Sequence, residues 1–322
     1  MNPERSSLRP ELIQIVSQEH AIPFSKGLLA ESLTATGLPP ERAYQVAMSV
    51  ECRLLDEDIY RLPVDELQAL VYDTLSQSEG QRYVQRYLQW HKLAAEERSL
   101  IILIGGATGV GKSTLAALLA GRLGIVRLIS TDTVRQVMRA FFPPNFMPAI
   151  HYSSFSAGDS VRLPLDKAAD RQLLGFVEQV RMVNVGVEAM VGRAVKEGLR
   201  MIVEGVHLVP GFMPASPGGS TLMLQLVVAV SDEGLHRSHF VVRERETDGR
   251  RPFRRYVRHF RKIRRIQDYI LELAVDQGTL VVENSDIDQA VNDVVDALYA
   301  LLDADSKEQQ MRSVEGVRGG GA

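Results

Sequence analysis

One cysteine, no long apolar run and almost no excess of charge: each shortage removes a class of protein. Cys52 alone cannot form an intramolecular disulfide and fits a reducing compartment. No stretch approaches the roughly 18 consecutive apolar residues that a membrane-spanning helix needs. The opening MNPERSSLRPEL is polar and lacks a signal-peptide pattern, so the expectation is a cytoplasmic protein without a membrane partner. A net charge of −3 over 322 residues predicts no nucleic-acid partner. Neither zinc-ligand spacing nor an internal repeat is evident. What remains is a chain with 45% hydrophobic and 24% charged residues, the balance of a globular protein, and long enough for two domains.

The most informative segment is IILIGGATGVGKST, residues 101–114. It fits G-x-x-x-x-G-K-[ST] from Gly106 through Gly111 and Lys112 to Ser113, after an apolar strand and before an apolar helical run. The pattern predicts a nucleotide site made by Gly106, Ala107, Thr108, Gly109, Val110, Gly111, Lys112, Ser113 and Thr114. Glycine lets the backbone N–H groups approach phosphate oxygens. Lys112 would place its charge at the β- and γ-phosphates, and the Ser113 hydroxyl would face Mg²⁺. The positive end of the following helix points at the same anion.

Residues 1–95 read as helical, with apolar residues at three- and four-residue spacing and breaks at Gly37-Leu38-Pro39-Pro40 and Arg61-Leu62-Pro63. From 96 to 302 strands and helices alternate. Strands are expected at 100–105, 125–130, 200–204, 222–230 and 279–282, and helices at 112–122, 132–141, 159–197, 253–275 and 286–302. Continuous apolar strands between helices predict an α/β domain with a parallel sheet buried on both faces. The polar residues 303–322, ending in GGGA, suggest a disordered tail.

In such a sheet, ligands bind beyond the carboxyl ends of the strands. Asp132 stands at the end of the second strand, where it could orient Mg²⁺, accept a proton or simply cap a helix. Arg135, one turn on, could hold an anionic substrate group. Glu204 ends the third strand after three apolar residues. A carboxylate there is costly unless it is hydrogen-bonded or faces a charged ligand, so it reads as a metal-water or substrate group or as a structural acid. His207 reads more simply as a satisfied loop histidine. His151, Ser153 and Ser154, in a Pro-rich aromatic segment, could line an acceptor pocket or an ordered surface loop.

Residues 235–265 are rich in arginine. Arg243, Arg250 and Arg251 flank Thr247-Asp248-Gly249 as a hinged lid would, and a planar guanidinium suits transferring phosphates. A solvated helix face and a nucleic-acid patch are the competing readings. The phosphate loop resembles that of phosphate-loop kinases, in which the loop after a late strand often borders the adenine, and by that analogy Asn284 and Ser285 are candidate neighbours of the base.

GGATGVGKST, STDTVRQVMR, PAIHYSSFSAG and VEGVHLVPG, in this order, resemble 2-phosphoglycerate kinase over roughly residues 98–300. The resemblance implies a P-loop kinase fold that phosphorylates 2-phosphoglycerate with ATP and Mg²⁺, giving 2,3-bisphosphoglycerate. It also implies Lys112 with Arg250 or Arg251 as transition-state stabilisers, Ser113 on Mg²⁺ and Asp132 as base or orienter. IPFSKGLLAESLTATGL and AYQVAMSVECRLL are similar to an ATP-cone, a small helical nucleotide-sensing domain. An ATP-cone opens on a basic strand and turn, whereas LIQIVSQEHAIPFSK offers Lys26 as its one clear cation. A kinase for another polar metabolite, a nucleotide-gated regulatory protein and a homo-oligomer all remain open at this point.

Overall fold

The computed structural model describes residues 12–17, 20–96, 98–162, 169–216, 221–246, 248, 250 and 252–319, with side chains described as far as 307. The chain divides into two compact units. One is Met1–Ala95 with Arg122–Gly124, and the other is Glu96–Gly121 with Ile125–Ala322.

The first unit is not purely helical. Strands β1 (Gln14–Val16), β2 (Ala21–Pro23) and β3 (Arg61–Pro63) form a small sheet in the order β2-β1-β3. Strand β1 runs antiparallel to β2 and parallel to β3. Each strand is only three residues long, too short for a period-two pattern to register. The helices are α1 (Lys26–Thr34), α2 (Pro40–Asp56), α3 (Val64–Ser78) and α4 (Gln81–Ala95). Ser25 caps α1 by accepting from the Leu28 amide, and Pro40 opens α2 where a missing N–H costs nothing. Leu33, Val46, Val50, Leu54, Val71 and Leu75 interlock as the core of this unit.

The second unit carries a five-stranded parallel sheet in the order β5-β6-β4-β7-β8. The strands are β4 (Leu100–Gly105), β5 (Leu128–Ser130), β6 (Arg200–Glu204), β7 (Leu222–Ala229) and β8 (Leu280–Glu283). Every residue of the central β4 is buried, which its unbroken apolar run requires. The helices are α5 (Lys112–Arg122), α6 (Thr131–Phe141), α7 (Arg171–Lys196), α8 (Glu233–Glu246), α9 (Phe253–Arg258), α10 (Phe260–Asp276) and α11 (Ile287–Gly319). Two 3₁₀ turns, Pro148–His151 and Ser154–Ser160, precede α7.

Four expected elements need correction. The strand expected at 125–130 is confined to 128–130. The helix expected from 159 begins at Arg171, where Asp170 accepts from the Leu173 amide. The helix expected over 253–275 breaks at His259. Residues 303–319 continue α11 instead of forming a disordered tail, since no Gly or Pro interrupts the chain from Ile287 to Glu315. The guanidinium of the buried Arg98 clasps Asp305 through two bonds, 2.6 and 2.9 Å, and so ties that extension to the entrance of β4.

The chain reaches β5 by crossing one way from β4 and reaches β7 on the other side. This reversal of strand order opens a crevice beyond the end of β4. In register, Ile104 faces Glu204, which in turn faces Ser130, so three strand ends deliver their following residues to one place.

Candidate active site

At that place lies a cleft of about 1030 Å³, lined by the phosphate loop, the start of α6, the end of β6, one face of α8 and the turn after β8. The sequence pattern locates the loop, and the structure shows how it is braced. Gly111 adopts φ +88°, and a Cβ there would overlap the Asn284 amide, so both the conformation and the space demand glycine. Asn284 Nδ2 donates to the Val110 carbonyl at 2.9 Å, and its backbone N–H donates to Ala229. Asn284 therefore supports the loop from below as well as lining the cleft.

Lys112 is buried, and its ammonium donates to the Ala107 carbonyl at 2.6 Å. Burial lowers its pKa, and the Glu204 and Asp132 carboxylates offset only part of that loss. A cation held dry in this way is poised for an anion. Next to it, the Ser113 hydroxyl donates to Glu204 Oε1 at 3.1 Å. Glu204 is 7% exposed and forms no salt bridge with any described residue. A buried carboxylate beside a hydroxyl, with Lys112 near but no cation in direct contact among the described residues, suits a hydrated hard metal ion.

Asp132 lies in the cleft wall with its side chain 55% exposed. It is not the cap of α6: the Ser130 hydroxyl does that, accepting from the Asp132 amide at 3.2 Å. The Asp132 carboxylate instead meets Arg135 Nη2 at 3.4 Å. Arg135 is fixed through Nη1, which donates to the carbonyls of Ile150 and Tyr152 at 2.9 and 3.1 Å. Its Nε is buried without a hydrogen-bond partner. The Nε–Nη2 edge of this guanidinium is thus nearly unspent, and that edge is the fork that grips carboxylate or phosphate.

Thr108, Gly109, Gly111, Thr114, Glu204 and Arg243 also line the cleft, whereas His151, Ser153 and Ser154 do not. His151 Nε2 donates to the Phe142 carbonyl at 2.8 Å, and the Ser153 hydroxyl accepts from Arg255 at 2.7 Å. Ser154 stays close, with its hydroxyl 3.4 Å from that of Thr108. These residues shape the segment behind Arg135 and do not form the cleft wall. Arg243 lies over the Tyr256 ring, 5.5 Å from its centre. Arg250 is exposed beyond the end of α8 and does not line the cleft, and Arg251 lies outside the described residues.

Sequence reasoning missed helix α8. His236 Nε2 donates to the Thr108 carbonyl and His239 Nδ1 to the Gly109 carbonyl, both at 2.9 Å. With these two carbonyls taken up by imidazole donors, the conformation of the loop is fixed from α8. Burial pushes the His236 pKa down to about 4, so the ring is neutral and its other nitrogen faces Arg264. The i, i+3 histidines of LHRSHF were the available signal, since that spacing puts both rings on one helix face.

No family model matches the chain. Curated relatives do. The 2-phosphoglycerate kinase of Methanothermobacter thermautotrophicus is 38% identical over 285 residues, covering 88% of this chain and 93% of the relative. That of Methanopyrus kandleri is 37% identical over 290 residues, covering 90% and 88%. That of Thermococcus kodakarensis is 39% identical over 282 residues, covering 88% and 94%. Among solved structures, a gluconokinase from Sinorhizobium meliloti 1021 (15% identical, TM-score 0.34) covers 66% of this chain and 96% of its own. A shikimate kinase from Acinetobacter baumannii (14% identical, TM-score 0.37) covers 66% and 98%.

Proposed function

The chain belongs to the 2-phosphoglycerate kinase family, and from that premise we propose that it transfers the γ-phosphoryl group of ATP to the C3 hydroxyl of 2-phosphoglycerate. The products are ADP and 2,3-bisphosphoglycerate. The observation that carries this reading is one cleft holding both halves of the chemistry: a braced phosphate loop, and across from it a carboxylate–guanidinium pair.

The donor set fits a magnesium–nucleotide. Lys112 is desolvated, with the charge of Glu204 and Asp132 offsetting only part of that cost, and Glu204 has no salt bridge within reach among the described residues; bound phosphate and metal would complete both environments together. Ser113, Glu204 and Asp132 are the residues to hold Mg²⁺, directly or through water. When bound, the metal neutralises charge on the β- and γ-phosphate oxygens.

The protein's part is positioning and charge. The loop N–H groups and Lys112 hold the phosphates, and Lys112 steadies the charge that gathers on the oxygens in transfer. A substrate bearing a carboxylate and a phosphate needs cations. Arg135, whose Nη2 makes only a 3.4 Å contact to Asp132, and Arg243, from α8, both line the cleft. As the C3 oxygen bonds to the γ-phosphorus, the bond to the β–γ bridging oxygen breaks. The hydroxyl proton passes to Asp132, which is open to the cleft. Arg250 and Arg251 remain candidates for charge stabilisation from the segment after α8. The chemistry asks for no membrane or nucleic-acid partner, and among the described residues no helix is long and apolar enough to cross a membrane.

The test is ADP release with ATP and Mg²⁺, with and without 2-phosphoglycerate, and identification of the product by phosphorus NMR. Stimulated turnover with a second phosphate ester formed at C3 supports the reading. ATP binding with no stimulation moves the acceptor to another small polar metabolite.

A further inference from the structure

Behind the acceptor side of the cleft runs a buried chain of hydrogen bonds that the mechanism leaves unused. His207, Thr131 and Gln179 are each 0% exposed. The Thr131 hydroxyl lies 2.7 Å from His207 Nδ1, and His207 Nε2 lies 3.1 Å from Gln179 Oε1. Gln179 Nε2 donates to the Ala149 carbonyl at 2.6 Å and the Tyr152 carbonyl at 3.0 Å.

The carbonyls settle the direction of every bond. Because they only accept, the Gln179 amide nitrogen faces them and its oxygen faces His207. His207 therefore carries its proton on Nε2, and Nδ1 accepts from the Thr131 hydroxyl. Burial keeps the ring neutral, its pKa pushed down to about 3, with the nearby Asp132 raising it and Arg135 and Lys112 lowering it further. Each buried polar group in the chain is thereby satisfied in one arrangement only.

The two ends of the chain are functional. Thr131 is the residue before Asp132. The Tyr152 carbonyl that takes the Gln179 proton also takes one from Arg135 Nη1, and the neighbouring Ile150 carbonyl takes the other. The run Thr131–His207–Gln179–Tyr152–Arg135–Asp132 closes on itself as a ring. Gly205 permits the closure: at φ +155°, a Cβ there would overlap the Thr131 hydroxyl. The segment VEGVHLVPG thus supplies Glu204 to the cleft, Gly205 to the close approach and His207 to the ring.

We propose that His207, with Thr131 and Gln179, is a positioning residue that fixes the Asp132–Arg135 pair in the geometry that receives the acceptor. This rests on the reading of Asp132 and Arg135 as acceptor-side groups. Misplacing such a pair costs productive alignment while leaving the nucleotide half of the cleft intact.

The experiment compares Thr131→Val, Thr131→Ser, Gln179→Met and Arg135→Lys in the full chain, measuring Tm, kcat and the KM for each substrate. Thr131→Val and Gln179→Met are expected to lower kcat/KM for 2-phosphoglycerate by about 10- to 100-fold, the range for losing an outer hydrogen-bond partner. The KM for ATP is expected to stay unchanged, and Thr131→Ser, which keeps the hydroxyl, to restore the wild-type value. Valine preserves the shape of threonine, so that variant tests the ring even if Gln179→Met fails to fold. A lower Tm with unchanged acceptor kinetics, or equal losses toward both substrates, would overturn the proposal. If Arg135→Lys also leaves acceptor kinetics unchanged, the acceptor-side reading itself fails. If only Arg135→Lys raises the acceptor KM, that reading stands and the positioning ring falls.

Discussion

Lys112 shows how a residue proposed to hold phosphate can work against stability. Its ammonium is buried against one carbonyl, with its charged form disfavoured by desolvation. Lys112→Ala should therefore leave the Tm of the ligand-free protein unchanged or higher. Turnover should fall by at least about 10²-fold, in the range for a lost electrostatic stabiliser. Calorimetry and a coupled ADP assay on the same preparation check both halves, and near-normal turnover would sink the phosphate role. Asp132 makes the complementary case. Because Ser130 caps α6, Asp132→Asn should leave Tm intact and depress kcat far more than ATP affinity, as loss of a general base predicts. A fall in Tm with kcat preserved would return Asp132 to a purely structural part.

At the scale of elements, helix α8 is the brace that the phosphate loop leans on. His236→Leu removes the donor to the Thr108 carbonyl inside a buried contact and should weaken ATP binding about 10-fold, the equivalent of about 1.4 kcal/mol. Titration calorimetry reads this directly, and unaltered affinity would show that the loop holds its shape unaided. The same residue carries a pH signature. His236 titrates near 4 in the folded chain against its ordinary 6.5, so the unfolded chain binds more protons between those values. Stability then rises with pH across that window and is lost as pH falls below about 6.5. His207, displaced toward about 3, acts in the same sense and extends the loss further down. In His236→Leu the slope of Tm against pH between 4 and 6.5 should be shallower than in the wild type. An identical slope would mean that His236 is not held neutral.

These two histidines also mark where the sequence stops being legible. The phosphate loop could be read directly because its strand, glycines, lysine and helix are contiguous, so local geometry dictates the site. Strands β4, β6 and β7 announced themselves as unbroken apolar runs. Strands β1 to β3 did not, being three residues each. The brace from α8 joins residues 128 positions apart, and Asn284 reaches the loop across 174. No local pattern reports such pairs. His207 looked like an ordinary satisfied histidine, and it is satisfied; its importance lies in what its partners hold. His151 and Ser153 looked like pocket residues because polar groups among aromatics suggest a cleft, but backbone carbonyls and Arg255 claim them instead.

At the scale of the whole molecule, the question is how many nucleotides one chain binds. The second unit contains the phosphate loop, its brace and the carboxylates. In the first unit, the segment 12–26 offers Lys26 as its clear cation, and Lys26 is already bound to Glu51 at 2.7 Å. Releasing it to a phosphate would cost that ion pair without gaining the nest of backbone N–H groups that the loop at 106–111 provides. The expected stoichiometry is therefore one ATP per chain, and it should vanish in Lys112→Ala. Linkage supplies a second readout. A ligand at a hundred times its Kd stabilises the folded state by about 2.7 kcal/mol. ATP should raise the Tm of the wild type measurably and leave that of Lys112→Ala where it was. Two equivalents by calorimetry, with one surviving in Lys112→Ala, would mean that the N-terminal unit binds nucleotide after all and that Lys26 exchanges Glu51 for a phosphate. Lys26→Ala would then remove the second equivalent while leaving turnover at the cleft in place.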